Sequence, residues 1–523
     1  MSRVIGIDLG MKKVRAAVVG DGRPIVLPNA EGENSTPAIV AVTPEGQWRV
    51  GTKAHRQRLM NLPGTFLSLK RFLGRSYEDV APEEIQRIPF QLLRGPHDAV
   101  RIDAYAHHYT PEECVALLLS HVCEDAARLL GQRVHEAIIA VPASFTHVQR
   151  QAVRDAGTIA GLHVRRLINE PTAAALLYTM ETTPNATVMV VNWGSGACEI
   201  SLLDIGSGVC EVRASVGDLR LGGDECDSRV VDYAVEFVLR QHGIDVRADR
   251  RLLLMLREAA EQAKCELSSV MQTALQLPHF GFDSSGPFHL NVPLTRADFA
   301  ALVAPLVQRC ALLIEQAFSD AKMSPADVDT VLLVGGAVRM PLVKDLLTKI
   351  MGGRTPIVRV LPEEAVAEGA ALLAGMDSGI VERVLVFDVM PLALSIGTSD
   401  VNVRPLIERH TPLPCRATTF VSSGEGAPSV LRLPLYQGEQ GTAAGIQQVG
   451  EVVIKGVPLL PQGVSRIAVI CELDESGLLT VQAQDEETGA QLSATIDDTG
   501  NLPREEVERL RGEVMARSVS PER

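Results

Sequence analysis

Two segments of the chain repeat one pattern of apolar and polar positions. Residues 4–19 read VIGIDLGMKKVRAAVV, and residues 189–204 read MVVNWGSGACEISLLD. In each segment an apolar run reaches a polar residue, Asp8 or Asn192, followed two positions later by a glycine and then by a second, alternating run. Strand-like runs around a glycine turn predict a β-hairpin. The two predicted hairpins are related, but the first carries an acid where the second carries an amide.

The pattern changes near residue 390. Before it, strand-like runs such as HEAIIAVP alternate with helical patterns such as RQAVRDAGTIAG, which predicts an α/β fold. After it, short alternating runs such as EVVIKGV and LLTVQAQD are separated by Gly, Pro and Asp, which predicts an antiparallel β domain. The linker VLVFDVMP is apolar, whereas flexible linkers are normally polar, so we expect it to dock on a domain. A short helix is predicted after Pro503.

Composition narrows the class of protein. The length of 523 residues suggests about three to four structural units, and 46% hydrophobic with 22% charged residues indicates a globular chain. A net charge of -14 argues against a nucleic-acid partner, because binding to phosphate backbones requires a basic face. The nine cysteines include no C-x-x-C pair, so we expect reduced thiols. We find neither a signal sequence nor an uncharged apolar run of ~18 residues, and therefore expect a cytoplasmic protein without a membrane partner.

Four glycine-containing turns follow strand-like runs. Glycine lets backbone N–H groups surround a phosphate, because it has no Cβ and tolerates left-handed backbone angles. Any one of these turns is explained as well by an ordinary tight turn, but four in this order predict a nucleotide site. They contain Gly10; Gly194 and Gly196; Gly222 and Gly223; and Gly335 and Gly336.

Charged residues complete the predicted site. In LREAAEQAKCELSS, Glu261, Lys264 and Ser268 have the spacing of one helix face, although a solvated, ion-paired face has the same spacing. Lys70 lies inside an apolar run, and Glu170 precedes an Ala-rich helical segment. Such a cation would bind a terminal phosphate, and such a carboxylate would orient water.

These motifs carry a resemblance over nearly the whole chain. The stretches AVPASFTHVQRQAVRDAGTIAGLHVRRLINEPTAAALLY, LGGDECDSR, LLVGGAVRMP and PEEAVAEGAALLAG, together with the linker, resemble the DnaK-like, seventy-kilodalton heat-shock chaperone family. The resemblance implies an actin-like, duplicated α/β nucleotide-binding domain at residues 1–383 and an interdomain linker at 384–391. It also implies a small antiparallel β-sandwich that binds peptides at 392–500 and a short C-terminal helical stub at 501–523.

The same resemblance implies roles by position. The implied catalytic residues are Asp8, Lys70, Glu170, Asn192 and Glu199, with Asp8 holding Mg2+ through water. The implied contacts to ATP or ADP are Gly10, Met11, Lys12, Gly194, Ser195, Gly196, Gly222, Gly223, Glu261, Lys264, Ser268, Gly335, Gly336 and Arg339. The implied interdomain relay is Pro142, Arg150 and Asp388, and the implied cochaperone surface is Arg166 and Asn169 together with Asp388. The implied peptide-binding residues are Ile396, Thr398, Ser399, Phe420, Leu431 and Leu433. Expected partners are unfolded or extended peptides, a J-domain cochaperone and a nucleotide exchange factor, and we expect a monomer.

The departures from the family pattern are concentrated in the two hairpins. Met11 and Lys12 replace a Thr-Thr pair, while Asn192, Ala197 and Glu199 replace Asp, Thr and Asp. An amide offers an oxygen but no charge to the water shell of a metal, so we expect weakly held Mg2+ and slow ATP hydrolysis. We expect the Lys12 ammonium to face phosphate and to replace part of the missing metal charge.

The peptide-binding half departs as well. The residues that arch over a bound peptide in the family are replaced by polar Ser399 and by Ser423 or Gly424. The chain ends about where the helical lid of the family begins, so we expect a lidless protein from which bound peptides dissociate quickly.

Three functions were weighed. We favour a DnaK-like chaperone that binds ATP and extended peptides and hydrolyses ATP slowly or not at all, which would suit a regulatory role. The alternative is a conventional ATP-cycling protein-folding chaperone that works with a J-domain cochaperone and an exchange factor, which the intact relay, linker and Lys70 favour. A small-molecule kinase of the same actin-like superfamily would leave the β domain unexplained.

Overall fold

Both predicted hairpins are present in the computed structural model of the protein. The structure describes residues 4–180, 185–283, 286–354, 357–358, 361–397, 404–422, 430–438, 445–457 and 466–518. Each hairpin opens one half of a duplicated α/β domain, and each apolar run that precedes a glycine turn is a buried strand.

The first half contains a mixed sheet in the order β12-β11-β1-β2-β3, in which β1 pairs antiparallel with β2 and parallel with β11. Strand β11 therefore ends beside Asp8, which lies opposite Ala140. Its elements are β1 Val4–Leu9, β2 Lys13–Gly20, β3 Arg23–Leu27, β4 Thr36–Pro37, β5 Ile39–Val42, β6 Trp48–Val50, α1 Thr52–Gln57, β7 Thr65–Leu67, α2 Pro82–Gln86, β8 Gln91–Arg94, β9 Val100–Ala104, β10 His107–Tyr109, α3 Pro111–Leu130, β11 Glu136–Val141, α4 His147–Ile159, β12 His163–Asn169 and α5 Glu170–Thr179.

The second half repeats this arrangement with a sheet in the order β19-β18-β13-β14-β15-β20. Its elements are β13 Ala186–Trp193, β14 Cys198–Gly206, β15 Val209–Asp218, α6 Gly223–His242, α7 Arg250–Leu267, β16 Gln272–Asp283, β17 Gly286–Thr295, α8 Arg296–Ala321, β18 Thr330–Val334, α9 Pro341–Ile350, β19 Ile357–Val358, α10 Ala365–Asp377 and β20 Leu385–Phe387. Within the described residues, α8 has the length and composition of a membrane span, a test that core helices of soluble domains also pass, and here it packs on β14 and β15.

The apolar linker docks on the second half, as its composition predicts. Strand β20 pairs in parallel with β15 and extends the edge of the sheet, with Leu385 opposite Val209. Beyond β20, Asp388 is buried and accepts a hydrogen bond of 2.8 Å from the Thr172 hydroxyl on α5. The linker is therefore anchored both through backbone pairing and through its single acid.

The C-terminal region forms the predicted antiparallel β domain. Its eight strands follow the order β22-β21-β24-β25-β28-β27-β26-β23, and buried apolar side chains fill the space between the two faces. The strands are β21 Leu394–Ile396, β22 Arg404–Ile407, β23 Cys415–Ser422, β24 Val430–Gly438, β25 Ile446–Lys455, β26 Arg466–Leu473, β27 Leu479–Asp485 and β28 Gln491–Asp498. The alternation of polar and apolar residues matches the alternation of exposed and buried positions, most regularly along β26.

The C-terminal segment contains the helix predicted after Pro503, α11 Arg504–Ser518. It packs against α3 and α4 of the first half, and its buried residues Val507, Leu510 and Val514 belong to the core of that half. Glu506 pairs with Arg101 at 3.4 Å, and further along the helix Arg517 pairs with Glu113. The boundaries proposed at residues 383, 391 and 500 remain predictions.

The buried face of α11 predicts that a single truncation weakens its docking. Replacing Leu510 by Ala removes a side chain from the core, which typically costs about 2–5 kcal/mol. We therefore expect the α11 amides of Leu510→Ala to exchange with deuterium much faster than those of the parent protein. Glu508→Ala, on the exposed face of the same helix, is the control and should leave exchange unchanged. Equal protection in all three proteins would show that α11 does not depend on this contact.

Candidate functional site

A cavity of about 440 Å³ lies between the two halves of the α/β domain. This volume falls within the range of small-molecule sites, about 300–1,000 Å³. The cavity is lined by the turns of both hairpins and by residues of α7, and it extends towards the β domain as far as Gln437 and Val449. The sequence-predicted residues that line it are Asp8, Gly10, Met11, Lys12, Lys70, Pro142, Glu170, Asn192, Gly194, Ser195, Gly196, Gly223, Glu261, Lys264, Ser268, Gly335, Gly336 and Arg339.

The two hairpin turns face each other across this cavity. A Cβ atom on Gly196 would lie 2.5 Å from Cε of Met11, so a larger residue at position 196 would displace the Met11 side chain from the second turn. The second turn closes on itself, because the amide of Gly194 donates to the carbonyl of Ala197 at 3.0 Å. The thioether of Met11 thus fills part of the space between the two turns.

The turn that contains Gly222 and Gly223 supports the turn of the second hairpin. The amide of Gly223 donates to the carbonyl of Gly194 at 3.0 Å, and the amide of Asp224 donates to that of Ser195 at 2.8 Å. The amide of Gly222 donates to the Glu225 carboxylate at 2.7 Å. The Gly223 amide thus holds the neighbouring turn and the Gly222 amide closes the start of α6, and contacts of these glycines with a nucleotide remain a prediction.

The fourth turn packs against the base of the second hairpin. Gly335 has a φ of 86°, and a Cβ atom there would lie 2.5 Å from the carbonyl oxygen of Trp193. Both its backbone angle and the close approach require glycine. Arg339, at the end of the following turn, lines the cavity and forms a bidentate pair with Glu363 at 2.6 and 2.8 Å.

An asparagine lies between two glutamates at the centre of the site. The amide nitrogen of Asn192 donates to Glu170 Oε2 at 2.8 Å and to Glu199 Oε2 at 3.4 Å. The other oxygen of Glu170 lies 2.5 Å from Lys70 Nζ. The other oxygen of Glu199 accepts from the backbone amide and hydroxyl of Ser144 at 3.1 and 3.2 Å. Both carboxylates are thus bound by donors of the protein itself.

The electrostatics of this cluster disfavour further negative charge. Burial, and then the nearby Glu170 carboxylate, raise the pKa of Glu199 to about 7. The same two causes raise the pKa of Asp8 to about 6, although Arg15 lies 3.7 Å away. An aspartate in place of Asn192 would add another charge to this buried group and would replace a donor by an acceptor.

Lys12 does not face the hairpin turns. Its ammonium lies 2.9 Å from a carboxylate oxygen of each of Asp224, Asp227 and Glu261, all in the second half of the domain. Burial of Lys12 opposes its charge, but these three carboxylates outweigh it and raise its pKa well above the ordinary value. Acids on α6 and α7 therefore bind this cation in the structure, and a contact between Lys12 and phosphate remains a prediction.

The predicted face of α7 is formed as expected from its spacing. Glu261 and Lys264 lie on α7, and Ser268 follows its last residue with its hydroxyl 3.4 Å from the Lys264 carbonyl. Lys264 Nζ is buried and pairs with Asp227 at 2.7 Å, and it also donates to the carbonyl of Gly223 at 3.0 Å. These residues line one wall of the cavity, and their contacts to adenosine remain predictions.

The predicted relay residues lie at the contact between the domains. Arg150, fully buried on α4, donates to Asn169 Oδ1 at 2.7 Å and to the carbonyl of Ser476 in the β domain at 3.1 Å. Arg166 pairs with Glu475 at 2.9 Å. The β domain and linker pack here and leave Asn169 3% and Asp388 5% exposed, and the cochaperone surface implied for Arg166, Asn169 and Asp388 remains a prediction.

The predicted peptide-binding residues separate into two groups. Ile396 and Leu433 are buried in the core of the β domain, and their role in binding peptides remains a prediction. Phe420 is 47% exposed, with the Arg466 guanidinium 4.4 Å above its ring, and Leu431 is partly buried. Thr398, Ser399, Ser423 and Gly424 lie outside the described residues.

Two sets of contacts were not predicted from the sequence. Ser144 binds Glu199. Its position at the site could have been predicted, because Ser144 follows β11, the strand parallel to β1, and ligands bind at this edge of such sheets. Nothing in the local sequence connects Asp224 and Asp227 with Lys12. Among the described residues, no group of three or more His, Cys, Asp or Glu has the geometry of a metal site.

The fold and the cavity define a duplicated α/β nucleotide-binding domain joined by a docked linker to a β-sandwich. A family model described as "Hsp70 protein" matches residues 4–521. The chaperone protein DnaK of Thermus thermophilus is 42% identical over 512 residues, which cover 98% of this chain and 83% of that protein. The chaperone protein DnaK 1 of a Synechococcus species is 41% identical over 512 residues, 98% of this chain and 68% of that protein. The DnaK protein of Cyanophora paradoxa is 40% identical over 510 residues, 98% and 82% of the two chains.

The chain belongs to the Hsp70 family, and it is a DnaK-type chaperone that binds nucleotide. The resemblance stated from the sequence motifs is thereby confirmed, as is the fold class of an actin-like nucleotide-binding domain followed by a β-sandwich.

The raised pKa of Glu199 predicts a pH dependence of stability. Below about pH 4.5 the Glu199 carboxyl group is protonated in both the folded and the unfolded chain. Between about pH 4.5 and pH 7 it ionises only in the unfolded chain, so the free energy of unfolding falls as the pH rises. We expect the free energy of unfolding, measured with urea, to fall less between pH 4.5 and 7.5 in Glu199→Gln than in the parent protein, by on the order of 2 kcal/mol. The exposed Glu505→Gln is the control. An undiminished loss in Glu199→Gln would contradict the burial of an ionisable group at this position.

Proposed function

We propose that this DnaK-type chaperone binds ATP in the cavity between its halves, binds extended peptides on the β domain, and hydrolyses ATP slowly. The single observation that carries the proposal is the donation from Asn192 to both Glu170 and Glu199. The relatives support the chaperone function, and the rate of hydrolysis is our inference from this geometry.

The occupied oxygens of Glu170 explain why hydrolysis would be slow. A carboxylate that positions or activates water needs an accessible lone pair aimed at that water. One Glu170 oxygen is bound by the Lys70 ammonium and the other by the Asn192 amide. Water must therefore compete with two donors of the protein, and the loss of a positioned acid or base typically costs about 10²- to 10⁴-fold in rate.

Magnesium fits the site as a weakly held ion. Asp8 supplies a carboxylate at the cavity wall, and Mg2+ is commonly held by one or two carboxylates through several waters together with substrate phosphates. When bound, it would neutralise charge on the phosphates. Asn192 adds no charge, and its amide nitrogen already donates to two glutamates. Asp8 is therefore the anionic holder that we propose, through water.

The conventional ATP-cycling chaperone remains the second candidate. It is favoured by the buried contact from Asn169 through Arg150 to the β domain and by the pairing of β20 with β15. These contacts connect the nucleotide-binding domain with the β domain when the two are docked. A J-domain cochaperone, a nucleotide exchange factor, a monomeric state and a cytoplasmic location also belong to this proposal.

Restoring charge and hydroxyl groups in the second hairpin should accelerate hydrolysis. We expect the double variant Asn192→Asp with Ala197→Thr to raise ATP turnover by at least about tenfold, because it frees a Glu170 oxygen and strengthens the hold on Mg2+. ATP affinity should change little, since contacts to the transition state and to the ground state differ. Single-turnover hydrolysis of ATP with Mg2+ measures this.

Two further measurements show whether Lys70 takes part in the reaction and whether the parent protein is a conventional chaperone. Adding Lys70→Ala to the double variant should suppress the gain if this cation serves the reaction. A double variant that binds ATP but is no faster than the parent would place the defect outside the hairpin. Substantial peptide-stimulated turnover in the parent protein would instead favour the conventional chaperone.

A further inference from the structure

Two adjacent residues of the first hairpin reach across the cavity to the second half of the domain. Met11 rests on Gly196, where a Cβ atom would lie 2.5 Å from its terminal methyl group. Lys12 extends to α6 and α7, where its ammonium lies 2.9 Å from each of three carboxylates. The first turn is therefore bound to the second half by one apolar and one ionic contact.

The ionic contact is enclosed by further charges. Asp227 is 1% exposed in its side chain and is shared between Lys12 and Lys264, at 2.9 and 2.7 Å. Asp224 is shared between Lys12 and Arg71, the latter at 3.8 Å. Without Lys12, the carboxylates of Asp224, Asp227 and Glu261 would be close together, and only Lys264 and Arg71 would neutralise part of their charge. Charge-assisted contacts with this degree of burial are stronger and less screened by salt than surface pairs.

We propose that Lys12 holds the two halves of the domain closed over bound nucleotide and thereby slows its release. The inference rests on the proposed binding of nucleotide in this cavity and adds a residue that controls how long the nucleotide stays. A ligand held between the halves leaves when they separate, and their separation pulls Lys12 away from Asp224, Asp227 and Glu261. The contact therefore acts on the dissociation rate, the quantity through which most affinity differences arise.

The direct test is the release of radiolabelled ADP from preloaded protein into excess unlabelled ADP. Because a charge-assisted hydrogen bond contributes more than a neutral one, we expect Lys12→Met to release ADP at least about tenfold faster than the parent. Lys12→Arg, which keeps the charge, should restore slow release. Lys344→Met makes the same chemical change at an exposed position of α9 and should behave as the parent. Equal rates for Lys12→Met and the parent would overturn the proposal.

A second variant distinguishes this role from a direct contact between Lys12 and phosphate. If Lys12 holds the halves together, Asp224→Asn removes one of its partners and should also accelerate ADP release. If Lys12 instead binds phosphate, Asp224→Asn frees the cation from a competing acid and should slow release, which would contradict the proposal. Combining Lys12→Met with Asp224→Asn should add less than the sum of the two effects, because both remove one contact.

A measurement without nucleotide separates failure of this inference from failure of the proposed nucleotide site. In nucleotide-free protein, Lys12→Met should accelerate hydrogen exchange at the amides of Gly223 and Asp224, which donate to the second turn. Lys344→Met should not. If ADP bound to none of the proteins but exchange still increased in Lys12→Met, the proposed site would fail while the contact across the cavity stood. Unchanged exchange in Lys12→Met would overturn the contact itself.

Discussion

Close packing between backbones sets the position of everything else in the nucleotide-binding domain. A Cβ atom on Gly369 of α10 would lie 1.8 Å from the carbonyl oxygen of Ala173 on α5, and one on Gly6 of β1 would lie 2.1 Å from the amide nitrogen of Ala371 on α10. Any side chain at either position would force these elements apart. Because α5 begins with Glu170 and β1 carries Asp8, this packing brings these two acids to one cavity.

The charges in that cavity are balanced mainly by donors of the protein itself. Lys70 and Asn192 occupy the two oxygens of Glu170, Ser144 occupies one oxygen of Glu199, and Lys12 is surrounded by three acids. Two of these donors stand at positions where the family pattern has another residue. The departures at positions 12 and 192 therefore act together: each adds a hydrogen-bond donor that satisfies acids of the site and links segments that are distant in sequence.

Local patterns were sufficient to predict the elements but not their long-range partners. The hairpins, the docked linker and the β domain follow from alternation and glycine placement, which are properties of a few consecutive residues. The partners of Lys12 lie more than two hundred positions away on α6 and α7, so its direction depends on how the halves close. Asn169 and Asp388 are buried because the linker and β domain pack there, which the sequence around either residue does not indicate. The amide of Gly223 similarly donates to a neighbouring turn that no local pattern reveals.

The central claim is that donors within the protein satisfy the acids of the nucleotide site, so that phosphates can approach with little help from a divalent cation. Calorimetric titration with ATP, in Mg2+ and then in excess chelator, tests it most directly. Since a tenfold change in affinity corresponds to about 1.4 kcal/mol, we predict that removing Mg2+ weakens ATP binding by no more than about tenfold. Binding that disappears in chelator would show that the acids still require the metal and would contradict the claim.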